Sequence, residues 1–143
     1  MIPGLDDFGH LPVGGHACTI EQIYERFRTN DYRDALCLKF EGILQISRKC
    51  GFVAVLIGGS FPTAKDRPRD MDLMWITDPE VDKETVKPEC RKLMEDVAAK
   101  DEYGWNMQYL PIDHDQEKID FWARQYGFCS YTNRERGMLF MDL

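Results

Sequence analysis

Apolar positions recur along this chain with two different periods, and the change from one to the other marks the elements. Between Asp31 and Lys49, Leu36, Phe40, Ile43, Leu44 and Ser47 fall three or four residues apart, allowing for the adjacent pair. That spacing lines one face of a helix. A helix is therefore expected from Tyr32 to Lys49, capped by Asn30-Asp31 and ended by Cys50-Gly51. A shorter one is expected over Ile20 to Phe27, because Thr19 and Gln22 form a capping-box pattern. Phe52 to Ile57 and Met71 to Ile76 are continuous β-favouring runs, the pattern of strands buried on both faces. After Thr77-Asp78-Pro79, the stripe Val86, Cys90, Leu93, Met94 and Val97 predicts one long helix over Thr85 to Lys100, with Pro88 in its first turn. Trp105 to Ile112 predicts a third strand. Gln116 to Tyr126 predicts a helix with Ile119, Trp122, Ala123 and Tyr126 on one face, stopped by Gly127. A polar loop through Asn133 and Arg136 leads to a last strand at Met138 to Met141.

Residues 1–18 are rich in Gly and Pro and read as an extended leader, which leaves 19–143 as a single domain. The elements add up to an α+β fold, a small mixed β-sheet with helices mainly on one face.

Composition narrows the function classes. At 143 residues, with 43% apolar and 30% charged positions, the chain fits one soluble globular domain with a real core. A net charge of −7 argues against a broad nucleic-acid surface, though not against a local basic pocket for one nucleotide. The longest apolar run is too short to span a bilayer, and no signal-peptide pattern opens the chain, so a cytoplasmic location is expected and no membrane partner. Cys18, Cys37, Cys50, Cys90 and Cys129 are odd in number and form no Cys-x-x-Cys, which predicts reduced thiols. His10, His16 and Cys18 have the wrong spacing for a compact zinc site, and no fourth ligand stands nearby.

The candidate chemistry lies between the two buried runs. Gly58-Gly59-Ser60 follows the first directly, and glycines there let a backbone approach a ligand closely. Ser60 is a good N-cap and Pro62 suits a first helical turn, so a helix start with free N–H groups is expected, an anion site. Thr63 and Lys65 add a hydroxyl and a cation, and Arg69 stands just before the acidic pair. Asp70 and Asp72 are two apart on an expected strand, so both carboxylates project to one face. Two such groups hold a hard cation such as Mg²⁺ (or Mn²⁺), with substrate phosphates supplying further oxygens. No P-loop or dinucleotide fingerprint is present.

A glycine–serine turn after a hydrophobic strand, with Asp-x-Asp on the next strand, resembles the signature of the DNA polymerase β-like nucleotidyltransferase superfamily. Gly59-Ser60 and Asp70-Met71-Asp72 carry the likeness. The chain looks most like the superfamily's minimal branch of small single domains. Flanking stretches Leu11-Pro12-Val13-Gly14-Gly15-His16, Glu25-Arg26-Phe27 and Arg136-Gly137-Met138-Leu139 are similar to one small family there. The resemblance implies that Gly59 and Ser60 hold the phosphates of a nucleoside triphosphate, beside Gly58, and that Asp70 and Asp72 hold magnesium. It implies transfer of a nucleoside monophosphate to a hydroxyl of a protein, an RNA or a small molecule. Active members carry a third carboxylate on a neighbouring strand. Here Trp105 to Pro111 has none, and Gln108 stands where the acid is expected. Asp113, just beyond, is the substitute candidate, although Asp113 and Asp115 also fit helix caps. The alternative reading is a catalytically reduced nucleotide- or partner-binding regulator, antitoxin-like or phage-encoded.

Overall fold

Local chemistry sets the first two helices. The Thr19 hydroxyl accepts the Gln22 N–H and the Gln22 side chain accepts the Thr19 N–H, and α1 (Ile20–Phe27) follows. The Asn30 side chain accepts the Arg33 N–H and opens α2 (Asp31–Lys49). The computed structural model describes residues 1–129 and 133–143. Its remaining helices are α3 (Pro88–Met94), α4 (Asp96–Tyr103) and α5 (Gln116–Tyr126). Strands β1 (Gly15–Ala17), β2 (Ala54–Gly58), β3 (Asp72–Thr77), β4 (Met107–Pro111) and β7 (Met138–Asp142) form one sheet in the order β1-β7-β2-β3-β4. β5 (Phe128–Cys129) and β6 (Arg134–Glu135) pair separately.

The sheet is mixed. β1–β7 and β3–β4 are parallel, while β7–β2 and β2–β3 are antiparallel. β2 is central and every residue of it is buried, as its uninterrupted apolar run requires. Alternation along the strands divides the core. Val55, Ile57, Leu73, Trp75, Leu139 and Met141 face the layer made by α1 to α4. Leu56, Met74, Ile76, Met138 and Phe140 face Ile119 and Ala123 of α5. Helices thus lie mainly on one face, and the α+β class is as expected.

The helix expected over residues 85–100 is two helices. Glu95 between them is extended, with φ −114° and ψ 124°. An unbroken helix would bury Val97 in line with Cys90, Leu93 and Met94. The break resets the phase, leaving Val97 76% exposed and burying Ala99 completely.

Residues 1–18 do more than lead in. Ile2 and Leu11 are buried in the larger core, and β1 adds an edge strand beside β7. The thiols also differ from expectation, because Cys50 at the end of α2 is joined to Cys90 of α3 by a disulfide across 40 residues. Cysteine count and spacing could not show that the end of α2 packs against α3. Cys18 and Cys37 are free thiols, both pushed up to about 11 chiefly by burial, while the Cys129 side chain lies outside those described. Among the described residues no helix is long and apolar enough to cross a membrane.

Candidate functional site

The glycine turn and the acidic pair meet at one end of the sheet. Gly58, the last residue of β2, pairs with Asp72, the first of β3. Gly59 then turns the chain at φ +76°, a conformation that suits glycine. A β-carbon on Gly59 would sit 3.3 Å from the Asp72 carboxylate. The bare backbone is what lets the turn lie against that carboxylate.

Beyond Ser60 the structure departs from expectation. Residues 59–64 form turns and bends, so no helix starts after Ser60. Thr63 is buried, and its hydroxyl donates to the Ser60 carbonyl (2.6 Å) and accepts the Lys65 N–H (3.2 Å). It closes the loop instead of reaching outward. The physical reason is Arg33, a cation only 3% exposed. Its guanidinium donates to the carbonyls of Phe61 (2.7 Å), Thr63 (2.8 Å), Lys65 (2.5 Å) and Phe27 (3.3 Å). The carbonyls of Phe61, Thr63 and Lys65 converge on one guanidinium instead of lining up along a helix axis. Lys65 and Arg69 are exposed, and neither ion-pairs with another described residue.

Asp72 is half-buried and, among the described residues, accepts a single long bond, 3.4 Å, from the Asn106 amide. Burial, and then the neighbouring Asp70, hold it above the usual carboxylate range, while Arg136, Asn106 and Lys100 act in the opposite sense. Asp70 lies 4.0 Å from the Lys100 ammonium, and its charge also acts on Lys39 of α2. A local basic surround therefore exists inside an acidic chain. Its members come from α2, α4 and the segment before β7, so no sequence spacing could have marked them.

The parallel register of β3 and β4 decides which residue stands beside Asp72. Leu73 pairs with Met107 and Met74 with Gln108. Asn106, one residue ahead of β4, is the group beside Asp72. Gln108 lies further along, opposite Met74. Asp113 stands apart from this site. It follows the far end of β4, five strand residues away, or roughly 15 Å, where its carboxylate contacts Lys118 at 2.5 Å. Asp115 caps α5 by accepting the Glu117 N–H.

A cavity of about 150 Å³ opens beside Asp72, bordered by Asp96, Asn106, Gln108 and Tyr126. Among the described residues no three His, Cys, Asp or Glu side chains converge as a metal cluster. The acidic pair offers carboxylate oxygens alone, a donor set suited to a hard divalent cation that completes its shell with water or phosphate.

Residues 3–142 match the model of a family of unknown function, DUF6932. The chain belongs to that family. Neither the curated proteins nor the solved structures give a match. For this DUF6932 chain, sequence reasoning found Gly58, Gly59 and Asp72, which the structure brings together, with Asp70 just ahead of β3. It missed Asn106, Lys39, Lys100 and Arg136.

Proposed function

We propose that this DUF6932 protein binds a nucleoside triphosphate with Mg²⁺ or Mn²⁺ and belongs by fold to the polymerase β-like nucleotidyltransferases. The observation that carries the reading is the contact of the Gly59 turn with Asp72, with 3.3 Å between the carboxylate and the place of an absent β-carbon. That contact puts a backbone able to approach phosphate against a carboxylate able to approach a cation. Asp70 and Asp72 would hold the cation, which when bound neutralises developing charge on a transferring phosphoryl group. Lys39, Lys100 and Arg136 offset phosphate charge nearby. The reaction is transfer of a nucleoside monophosphate to a hydroxyl, with pyrophosphate leaving.

The test is calorimetry of the four triphosphates with Mn²⁺ on wild type and on Asp70→Asn/Asp72→Asn. Binding by wild type that is lost in the double variant is the expected result. Wild type that binds none of the four overturns the reading.

Asn106 favours a second reading, a nucleotide-dependent binding protein without turnover. An amide beside Asp72 cannot take up a proton from an attacking hydroxyl. Label supplied on the α-phosphate separates the two. Its appearance on an acceptor supports the enzyme, and tight binding without transfer supports the regulator.

A further inference from the structure

We propose that the cavity beside Asp72 receives the nucleobase, and that it prefers a base carrying an exocyclic amino group. This rests on the nucleotide reading above and adds the part of the ligand that the reading leaves open.

Size comes first. At about 150 Å³ the cavity is well below the roughly 300–1,000 Å³ of pockets that enclose a whole small ligand. It has room for one ring system, while a triphosphate stays outside along the glycine turn. Position agrees. Across the sheet end, Gly58 of β2 pairs with Asp72 of β3, and Asn106 reaches Asp72 from the β4 side. A nucleotide with its phosphates at the turn and its cation at Asp72 has the β4 side left for the rest.

The walls supply the chemistry. Asn106 and Gln108 present primary amides, each with a donor and an acceptor in one plane. Nucleobase edges carry the same alternation. Asp96 brings only acceptors when ionised, so it favours an exocyclic amino group with its two N–H donors over the single N3–H of uracil. Tyr126 offers a ring face on which a base can stack. Trp122 stacks on that ring, with centroids 5.8 Å apart and planes 21° from parallel, which fixes the tyrosine before any ligand arrives. Met74, Met107 and Met138 form an apolar, adaptable floor.

Calorimetry on the full chain with Mn²⁺ tests this, using ATP, GTP, CTP, UTP and inorganic tripolyphosphate. The amino-bearing triphosphates should bind about tenfold tighter than tripolyphosphate, the factor expected of one stacked base. UTP should be the weakest nucleotide. Tyr126→Ala and Gln108→Ala should remove that advantage and leave tripolyphosphate binding unchanged. Asp96→Asn, an exposed and nearly isosteric change, should narrow the gap between CTP and UTP. Circular dichroism confirms that each variant is folded. Equal affinity for tripolyphosphate and all four nucleotides overturns the base pocket alone. So does an equal loss of tripolyphosphate binding in the variants. Absence of any Mn²⁺-dependent binding overturns the nucleotide reading, and the base pocket with it.

Discussion

Replacing Arg33 with methionine tests whether one buried guanidinium holds the glycine loop in place. Methionine keeps an unbranched stem between Phe27 and Phe61, over whose rings the guanidinium lies at 5.9 and 5.2 Å. What goes is every donor. The Phe27, Phe61 and Thr63 bonds are buried, so their carbonyls lose their partner where water does not replace it. The Lys65 carbonyl is partly exposed and can turn to solvent. An orphaned buried acceptor costs about 1–3 kcal/mol, so three give about 3–9 kcal/mol. Relief from burying a cation without a carboxylate partner offsets part of this, and a net loss of about 2–4 kcal/mol is expected. For a chain of this size that lowers Tm by about 6–12 °C. Thermal and urea unfolding followed by circular dichroism measure it. Mn²⁺-dependent nucleotide binding, read well below Tm, should fall as well, because the loop beyond Ser60 is released. Arg33→Lys should lie between, since an ammonium keeps the charge and cannot span all four carbonyls. A melting point within about 2 °C of wild type together with unchanged binding would refute the reasoning. The loop would then be held by Ala64 N–H on the Gly9 carbonyl and Asn30 on the Asp66 carbonyl.

Three further outcomes are expected. Asp72 has a folded-state pKa above its unfolded value, so its favourable contribution is complete below about pH 3.9 and is lost as pH rises through the folded value. Asp72→Asn should therefore be more stable than wild type at pH 7, with the gap closing toward pH 4, as urea titrations across that range will show. Gly59→Ala forces a β-carbon into a φ of +76° against the Asp72 carboxylate, so it should lose about 1–3 kcal/mol in the same urea assay, along with nucleotide affinity. Opening the Cys50–Cys90 bridge by Cys50→Ser/Cys90→Ser should cost about 4 kcal/mol on the chain-entropy account of a 40-residue separation. Intact mass after alkylation without reductant should show both wild-type thiols protected.

What could be read from the residues alone follows the range of the forces involved. The start of α1 and the Asn30 cap were legible because the deciding bonds join residues three apart. The break at Glu95 was not, since Ala99 wins its buried place through contacts with the rest of the core. The same divide runs through the candidate site. Gly58 and Asp72 lie on strands that follow one another and pair, so their proximity was legible. Asn106 arrives on a parallel strand after two helices, and its register with β3 is set by packing. The expected helix after Ser60 failed for a related reason. Ser60 and Pro62 have the right local preferences, but the loop carbonyls turn to Arg33, which lies 28 residues from Phe61.

The way this protein treats its other aspartates explains why the acidic pair reads as a ligand site. Asp6 accepts two backbone N–H groups at 2.9 and 3.0 Å, Asp115 caps α5 at 2.9 Å, and Asp120 binds the Gly15 N–H at 2.9 Å. Each is fixed by short bonds to backbone N–H groups, even Asp6 and Asp115, which are exposed. Asp72 is half-buried with one bond of 3.4 Å, and Asp70 has an ion pair at 4.0 Å among the described residues. Asp72, so poorly bonded and beside a second carboxylate, lowers the stability of the fold at neutral pH. Departures of this kind from local consistency concentrate where a protein meets a ligand. A divalent cation is the species whose binding would reverse the cost, and the stability it returns grows with its concentration. Mn²⁺ should therefore raise the melting temperature of wild type and leave that of Asp70→Asn/Asp72→Asn unchanged.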